Sequence, residues 1–345
     1  MKIIGCDFHP SYQQIAMMDS ETGELWEGRL EHEKGEASRF YESLRGPVRV
    51  GMEAVGNSQW FEKKMEELGH ELWIGDAGQI RRLAVRAQKT DRRDARHILD
   101  LLLDGRFPRL WVPSTEMRDV RQLLRHRQKL VGMRSQVKNQ LQHLALNQGV
   151  RRRQRLWSST GRRVLEQLPL EGWTARRRAE LLALLDQLDR QVGELDQAVR
   201  SEAQRRPEVR LLMTHPGVGP VVGLAYVLTI GPVGRFPRGK QVASYLGLIP
   251  KEKSSGGRQR LGSISKQGNT MMRTLLVEAA QTASRFDPEL RRDYRRLAAR
   301  KHRALAKVMV ARKLAVRLYW MLREDRPYWQ RSVAPTQGSP SHSVV

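Results

Sequence analysis

Lys2–Asp7, KIIGCD, is a short apolar run that ends in a carboxylate, and the first hundred residues read outward from it. Gln13–Met18 and Leu25–Leu30 follow as strands, with the turn-forming Asp19–Gly23 between them. Glu36–Leu44 reads as a helix, and Val48–Met52 (VRVGM) is a strand that runs into Glu53. Gln59–Leu68 has helical spacing and is stopped by Gly69, and Glu71–Ile74 is again a short strand. Ile80–Ala87 and Arg92–Leu103 read as helices. Strand, strand, strand, helix, strand, helix, strand, helix is the order of an α/β domain over roughly 1–110. Its acids fall at strand ends, where α/β sheets gather functional groups.

Lys89–Arg96, KTDRRDAR, adds two more carboxylates. Asp91 and Asp94 stand three apart, so on a helix they share one face. With Asp7 and Glu53 they make four acids whose mutual repulsion a divalent cation would offset, and oxygen ligands with open positions suit Mg²⁺. The competing reading is a solvated helix start, in which Asp91 and Asp94 merely balance Arg92, Arg93 and Arg96. His9 precedes Pro10 and reads as a structural loop residue outside the acidic set.

The chain's 345 residues allow two or three domains, and 62 Lys plus Arg against 37 acids give a formal charge of +25. Such an excess predicts a polyanionic partner, nucleic acid first, since phosphate neutralisation dominates that affinity. No apolar run of about 18 residues and no signal peptide are present, which argues against a membrane protein. The single Cys6 reads as a buried strand residue in a reducing, cytoplasmic compartment.

Beyond Pro113, Ser114–Gln148 reads as one long basic helix with Leu123, Leu130, Val137 and Leu144 at heptad spacing. Arg118, Arg121, Arg125, Arg127, Lys129, Arg134 and Lys138 line it without evident balancing acids. Leu181, Leu185, Leu188, Val192, Leu195 and Val199 form a second seam, which predicts either an antiparallel hairpin within the chain or a join to a partner chain. From Pro207 the chain changes again. THPGVGPVVGLAYVL (Thr214–Leu228) places Pro216, Gly217 and Gly219 in a tight turn before a small-residue helix, as in a helix-hairpin-helix that holds a DNA phosphate. Pro250–Gly257 reads as a polar loop, Lys266–Asn269 leads into a helix over Thr270–Ala283, and Leu290–Leu322 is helical and basic. The tail from Ser332 has a disordered composition.

Taken together, GCD at Asp7, MEAVG at Glu53, KTDRRDAR, HPGVG and ASYLGLIPKEKSSGGRQRLGSISKQGNTMMRTLL resemble the DEDD transposases of the IS-one-ten insertion-sequence family, over about 1–325 and in the same motif order. The resemblance implies a RuvC-like (RNase H-fold) domain over 1–110, a helical coiled-coil arm over 111–205, and a mainly helical transposase domain over 206–331, before a tail at 332–345. The fold class is thus α/β plus all-α. It also implies a DNA recombinase of a bacterial mobile element, working in the cytoplasm at the nucleoid and guided by a bridge RNA, as a homo-oligomer (dimer or tetramer). By motif position the Mg²⁺-binding catalytic acids become Asp7, Glu53, Asp91 and Asp94, and the nucleophile of a covalent phosphoserine intermediate becomes Ser255, with Ser254 beside it. Gly217, Gly219, Arg258, Lys266, Asn269 and Arg273 become nucleic-acid contacts. The family's E-A-T-G-x-Y stands here as Glu53-Ala54-Val55-Gly56-Asn57-Ser58, without the threonine and the tyrosine. Two alternatives come from other classes: a RuvC-like junction nuclease, which needs the acids but no serine, and a non-enzymatic basic binder, which needs neither.

Overall fold

The computed structural model describes residues 1–84, 90–151, 155–252 and 260–328. They form two compact units, divided between Pro113 and Ser114. The first is built on a five-stranded sheet of order β3-β2-β1-β4-β5: β1 (Lys2–Phe8), β2 (Tyr12–Asp19), β3 (Leu25–Glu31), β4 (Val48–Glu53) and β5 (Glu71–Gly75). The first three strands make an antiparallel meander, whereas β4 joins β1 in parallel and β5 joins β4 in parallel. Strict alternation along β1 and β4 sorts the side chains onto two faces. Ile4, Cys6, Val48, Val50 and Met52 pack with α1 (Glu36–Ser43) and α2 (Gln59–Glu67) through Ala37, Tyr41, Phe61 and Met65. Ile3 packs on the other face with Ile80 of α3 (Ala77–Leu83) and Ala95, Ile98, Leu99 and Leu102 of α4 (Asp91–Leu103).

Two glycines decide how α4 lies. Gly5 and Gly51 are register partners on β1 and β4. A Cβ on Gly5 would stand 2.2 Å from the Ala95 carbonyl oxygen and 2.4 Å from the Leu99 nitrogen, and one on Gly51 would stand 2.7 Å from the Leu102 side chain. The helix backbone therefore rests directly on the sheet. Its residue numbers fall as those of β1 rise, so its first turn lies toward the ends of β1 and β4 where Asp7 and Glu53 stand.

In the second unit, α5 (Thr115–Asn147) and α7 (Gly172–Arg205) run antiparallel, with α6 (Ser159–Glu166) between them in sequence. Arg127 meets Asp196 at 2.6 Å and Arg134 meets Asp189 at 3.2 Å, which fixes the register. These acids come from α7, so part of the basic face of α5 is balanced after all, and the long-range partner hid it in the sequence. The seam closes within the chain as a core of Leu130, Val137, Leu141, Leu144, Leu181, Leu185, Leu188 and Val192. The other end of the pair, Val120, Leu124, Val199 and Ala203, belongs to a second core with the C-terminal helices. Those are α8 (Pro207–Met213), α9 (Pro220–Ile230), α10 (Gly239–Tyr245), α11 (Thr270–Phe286), α12 (Pro288–Ala298) and α13 (Arg303–Glu324), accompanied by the small antiparallel ribbon β6 (Pro250–Glu252) and β7 (Leu261–Ile264). Among the described residues no helix is long and apolar enough to cross a membrane.

Three expectations change. The helix expected over Ile80–Ala87 starts at Ala77, because Asp76 caps it by accepting from the Gln79 N–H at 2.8 Å, and it ends at Leu83. Pro250–Glu252, expected as loop, is a strand, since its partner arrives only at Leu261. The helix expected over Leu290–Leu322 is two helices: α12 stops at Ala298, and α13 starts after His302, whose ring nitrogen accepts from the Ala304 N–H at 3.2 Å. Neither glycine nor proline marks that break. It lets both helices pack on α11, a tertiary demand that local sequence does not carry.

Gly132 sits mid-helix in α5, and a Cβ added there would meet nothing within 4 Å. Gly132→Ala is expected to raise stability by about 0.5–1 kcal/mol, through helix propensity and a less flexible unfolded chain, measured by denaturant titration.

Candidate active site

The end of β1 carries Asp7, and the chain turns at His9-Pro10 so that the histidine ring folds back on it. His9 Nε2 lies 3.1 Å from Asp7 Oδ2 and 3.8 Å from Asp91 Oδ2. Tyr12, at the start of β2, donates its hydroxyl to Asp91 Oδ2 at 2.8 Å. The Tyr12 ring is held in turn, stacked on His9 at 4.6 Å and covered by the Arg29 guanidinium at 3.6 Å. Asp7, His9 and Asp91 each offer a ligand atom within 4.8 Å of the others. Thr90 caps α4, placing Asp91 and Asp94 in its first turn, where the helix dipole favours negative charge.

Burial, above all, holds the Asp7 carboxyl above its usual range, and the negative charges of Asp94 and Asp91 push the same way, against a lowering by His9. Two facing carboxylates, one of them costly to ionise, are oxygen donors that a hard divalent cation fits, with the His9 imidazole beside Asp7 as its hydrogen-bond partner. Asp94 bears on Asp7 electrostatically but lies outside the three-ligand group. Glu53 follows the Cys6–Met52 register pair at the end of the neighbouring strand, yet its carboxylate is taken by Arg81 at 3.2 Å. The structure thus brings Asp7 and Asp91 together, sets Asp94 near, and leaves Glu53 on Arg81.

The charge-balance alternative for KTDRRDAR fares poorly at two of its cations. Arg92 and Arg96 both turn to Glu27 on β3, and Arg96 also meets Asp100. Asp91 is bonded to Tyr12 instead. His9 and Tyr12 are the residues that sequence reading passed over. The signal for His9 was its place two residues after a strand-end aspartate; Tyr12 reaches Asp91 across 79 residues and gave none. Beside the site, Cys6 is buried against Gln13, and burial first, then Asp7, pushes its thiol far up, so it is inert packing.

In the second unit, Gly217 has φ +86°, and a Cβ there would stand 2.7 Å from the Ala279 carbonyl oxygen, so this glycine lets the turn between α8 and α9 sit on α11. Gly219 is the N-cap of α9 with open space around it. Lys266 is exposed with φ 58°, in a loop anchored by its N–H to the Gly247 carbonyl at 3.2 Å. Asn269 caps α11 by accepting from the Met272 N–H at 3.1 Å. Arg273 is a correction. It is buried, and donates to the carbonyl oxygens of Leu246 and Gln267 and to the Thr270 hydroxyl, so it binds the loop from inside instead of facing a phosphate. Ser254, Ser255 and Arg258 lie outside the described residues.

Residues 4–149 match the model of a DEDD transposase family, described as the IS110 transposase, and residues 209–295 match that of the transposase IS116/IS110/IS902 family. The two matches cover both units in the expected order. The chain belongs to the IS110 family of transposases. This is the IS-one-ten family named by the motifs. A probable family 20 transposase of Pseudomonas aeruginosa is 28% identical over 82% of this chain and 84% of its own length. The transposase for insertion sequence element IS1111A of Coxiella burnetii is 26% identical over 83% of this chain and 78% of its own. A putative transposase of Sinorhizobium fredii, 25% identical, spans 97% of this chain and 87% of its own. The protein is an enzyme of DNA transposition, with DNA as its partner.

Proposed function

We propose that this transposase cuts and rejoins DNA through a covalent phosphoserine formed by Ser255, with a divalent cation, Mg²⁺, held by the acids of the first unit. The observation that carries the reading is the convergence of Asp7 and Asp91 with His9 at the end of β1. The strand order β3-β2-β1-β4-β5, with an antiparallel meander joined to two parallel strands, supports a RuvC-like RNase H fold for that unit. Asp7 and Asp91 are the principal ligands in this reading, with Asp94 adjacent and Glu53 joining once released from Arg81. Bound there, the cation would polarise a phosphoryl oxygen and stabilise the leaving oxygen. His9 and Tyr12 hold the two aspartates in place.

In the serine step, the Ser255 hydroxyl attacks a DNA phosphorus and gives up its proton. One P–O bond to a sugar breaks, and the departing sugar oxygen takes a proton. A seryl phosphodiester remains, and attack by another strand's hydroxyl reverses it. The net charge of +25 and the resemblance support a bridge RNA as guide and a homo-oligomeric assembly at the nucleoid. Helices α5 and α7, the arm of residues 111–205, serve as its coiled-coil scaffold.

The test is a covalent-adduct assay with element-end DNA, Mg²⁺ and guide RNA, stopped with detergent and resolved by electrophoresis. The wild type is expected to give a protein–DNA band, Ser254→Ala to keep it, and Ser255→Ala to lose it while still binding DNA. A persistent band in Ser255→Ala would remove the nucleophile assignment.

A further inference from the structure

Helix α12 sorts its charges onto two faces. Glu289 and Asp293, four residues apart, reach cations of α13: Arg317 meets Glu289, and Lys313 meets Asp293. Arg296 joins Asp293 at 3.0 Å. Arg291 and Arg295, also four apart, each stand two residues on from those acids, or about 200° round the helix at 3.6 residues per turn. Like charges at i, i+4 repel and weaken a helix, a cost that an anion between them would offset.

On this second face a cleft of about 530 Å³ opens between α11, α12 and α13. Arg285 of α11, Arg291 and Arg295 of α12 and Lys307 of α13 line it, and among the described residues no acid does. Two of these cations are held by neutral oxygens. Lys307 Nζ donates to Gln281 Oε1 at 2.8 Å, and Arg291 Nη2 donates to the Arg285 carbonyl oxygen at the end of α11. Their charges are thus aimed without being cancelled. Arg285 and Arg295 are exposed, and among the described residues none of the four cations is ion-paired. Their spacing is set by the fold, since Ala283 of α11, Leu290 of α12 and Val310 of α13 are buried in one core.

The size and chemistry of the cleft point to its ligand. A cavity of about 150 Å³ already holds a benzene ring, so this one has room for a phosphate together with its sugar. Guanidinium forks and an ammonium are donors suited to phosphate oxygens. Tyr294, half-buried in the wall, offers an amphipathic ring to the sugar. We infer that the cleft between α11, α12 and α13 binds a backbone segment of the DNA strand, with Arg285, Arg291, Arg295 and Lys307 neutralising its phosphates. The inference rests on the chain acting on DNA, and it needs neither the acidic cluster nor the serine loop.

Fluorescence anisotropy of the full chain with a labelled DNA duplex, titrated with salt, tests it. The variants are Arg295→Gln, the double variant Arg285→Gln/Arg295→Gln, and Arg295→Lys. The control, Arg205→Gln on α7, removes the same charge from an exposed side chain outside the cleft lining. Arg295 is exposed, so its loss should leave the melting temperature unchanged. Arg295→Gln is expected to weaken DNA binding roughly fivefold and to reduce the log–log salt slope by about 1, as one lost phosphate contact requires. The double variant should lose about 2 from the slope, and Arg295→Lys should keep the wild-type slope because it keeps the charge. Arg205→Gln should change neither affinity nor slope. Equal behaviour of Arg295→Gln and Arg205→Gln, or a loss seen with an RNA duplex but not with DNA, overturns the site. Wild-type protein without salt-dependent DNA affinity would instead overturn the DNA reading on which the site rests.

Discussion

Asp7→Asn is expected to lower DNA strand transfer about 1000-fold while leaving the fold intact. Metal-ion stabilisation of a phosphoryl transition state is worth several kcal/mol, and each ~1.4 kcal/mol is tenfold in rate. The substitution keeps the shape of the side chain and its place against His9. It removes a negative charge that lies within 4.8 Å of the Asp91 carboxylate. Three readouts separate this from mere damage. First, Mg²⁺ should raise the melting temperature of the wild type by mass action, and not that of the variant. Second, DNA binding should persist, because the basic surfaces are untouched. Third, stability against pH should differ with a definite sign. Burial, with Asp94 and Asp91, raises the folded-state pKa of Asp7, against the opposing effect of His9, so without metal the folded chain keeps the Asp7 proton longer than the unfolded chain. Stability therefore falls as pH rises from about 4 to that raised value, and Asp7→Asn removes this part of the fall. Strand transfer within tenfold of wild type, or an equal Mg²⁺ response, would defeat the assignment of Asp7.

What the sequence made legible follows from how local each signal is. The five strands and first two helices of the first unit fell within a residue or so of expectation, because alternation and turn residues are encoded next to each other. The two long helices were equally plain, their seams repeating every seven residues. The boundary at Ala298 was not, since nothing between Ala299 and His302 breaks a helix; only packing on α11 does. At the site, Asp7, Asp91 and Asp94 were readable as acids at element ends. Glu53 was readable in the same way, at the end of the fourth strand, but sequence could not show Arg81 holding it. Likewise Arg273 looked like one more cation near the serine loop. Its burial beneath Leu246 and Gln267 is a property of the folded loop alone.

Gly5→Ala is expected to be the most damaging single methyl group in the first unit. The added Cβ would fall 2.2 Å from the Ala95 oxygen and 2.4 Å from the Leu99 nitrogen. Both are helix backbone atoms, so no side-chain rotation relieves the clash, and α4 must lift from the sheet. Overpacking of this kind costs about 3 kcal/mol or more, at the upper end for a single methyl. In a unit of this size that is a fall in melting temperature of roughly 10 °C. The same displacement moves the first turn of α4, and with it Asp91, away from Asp7. Activity should therefore drop further than the loss of folded protein explains, even at temperatures where the variant is fully folded. Gly56→Ala is the matched control, since nothing lies within 4 Å of its added methyl. Strand transfer by Gly5→Ala in proportion to its folded fraction would show that the acidic cluster does not depend on how closely α4 rests on β1.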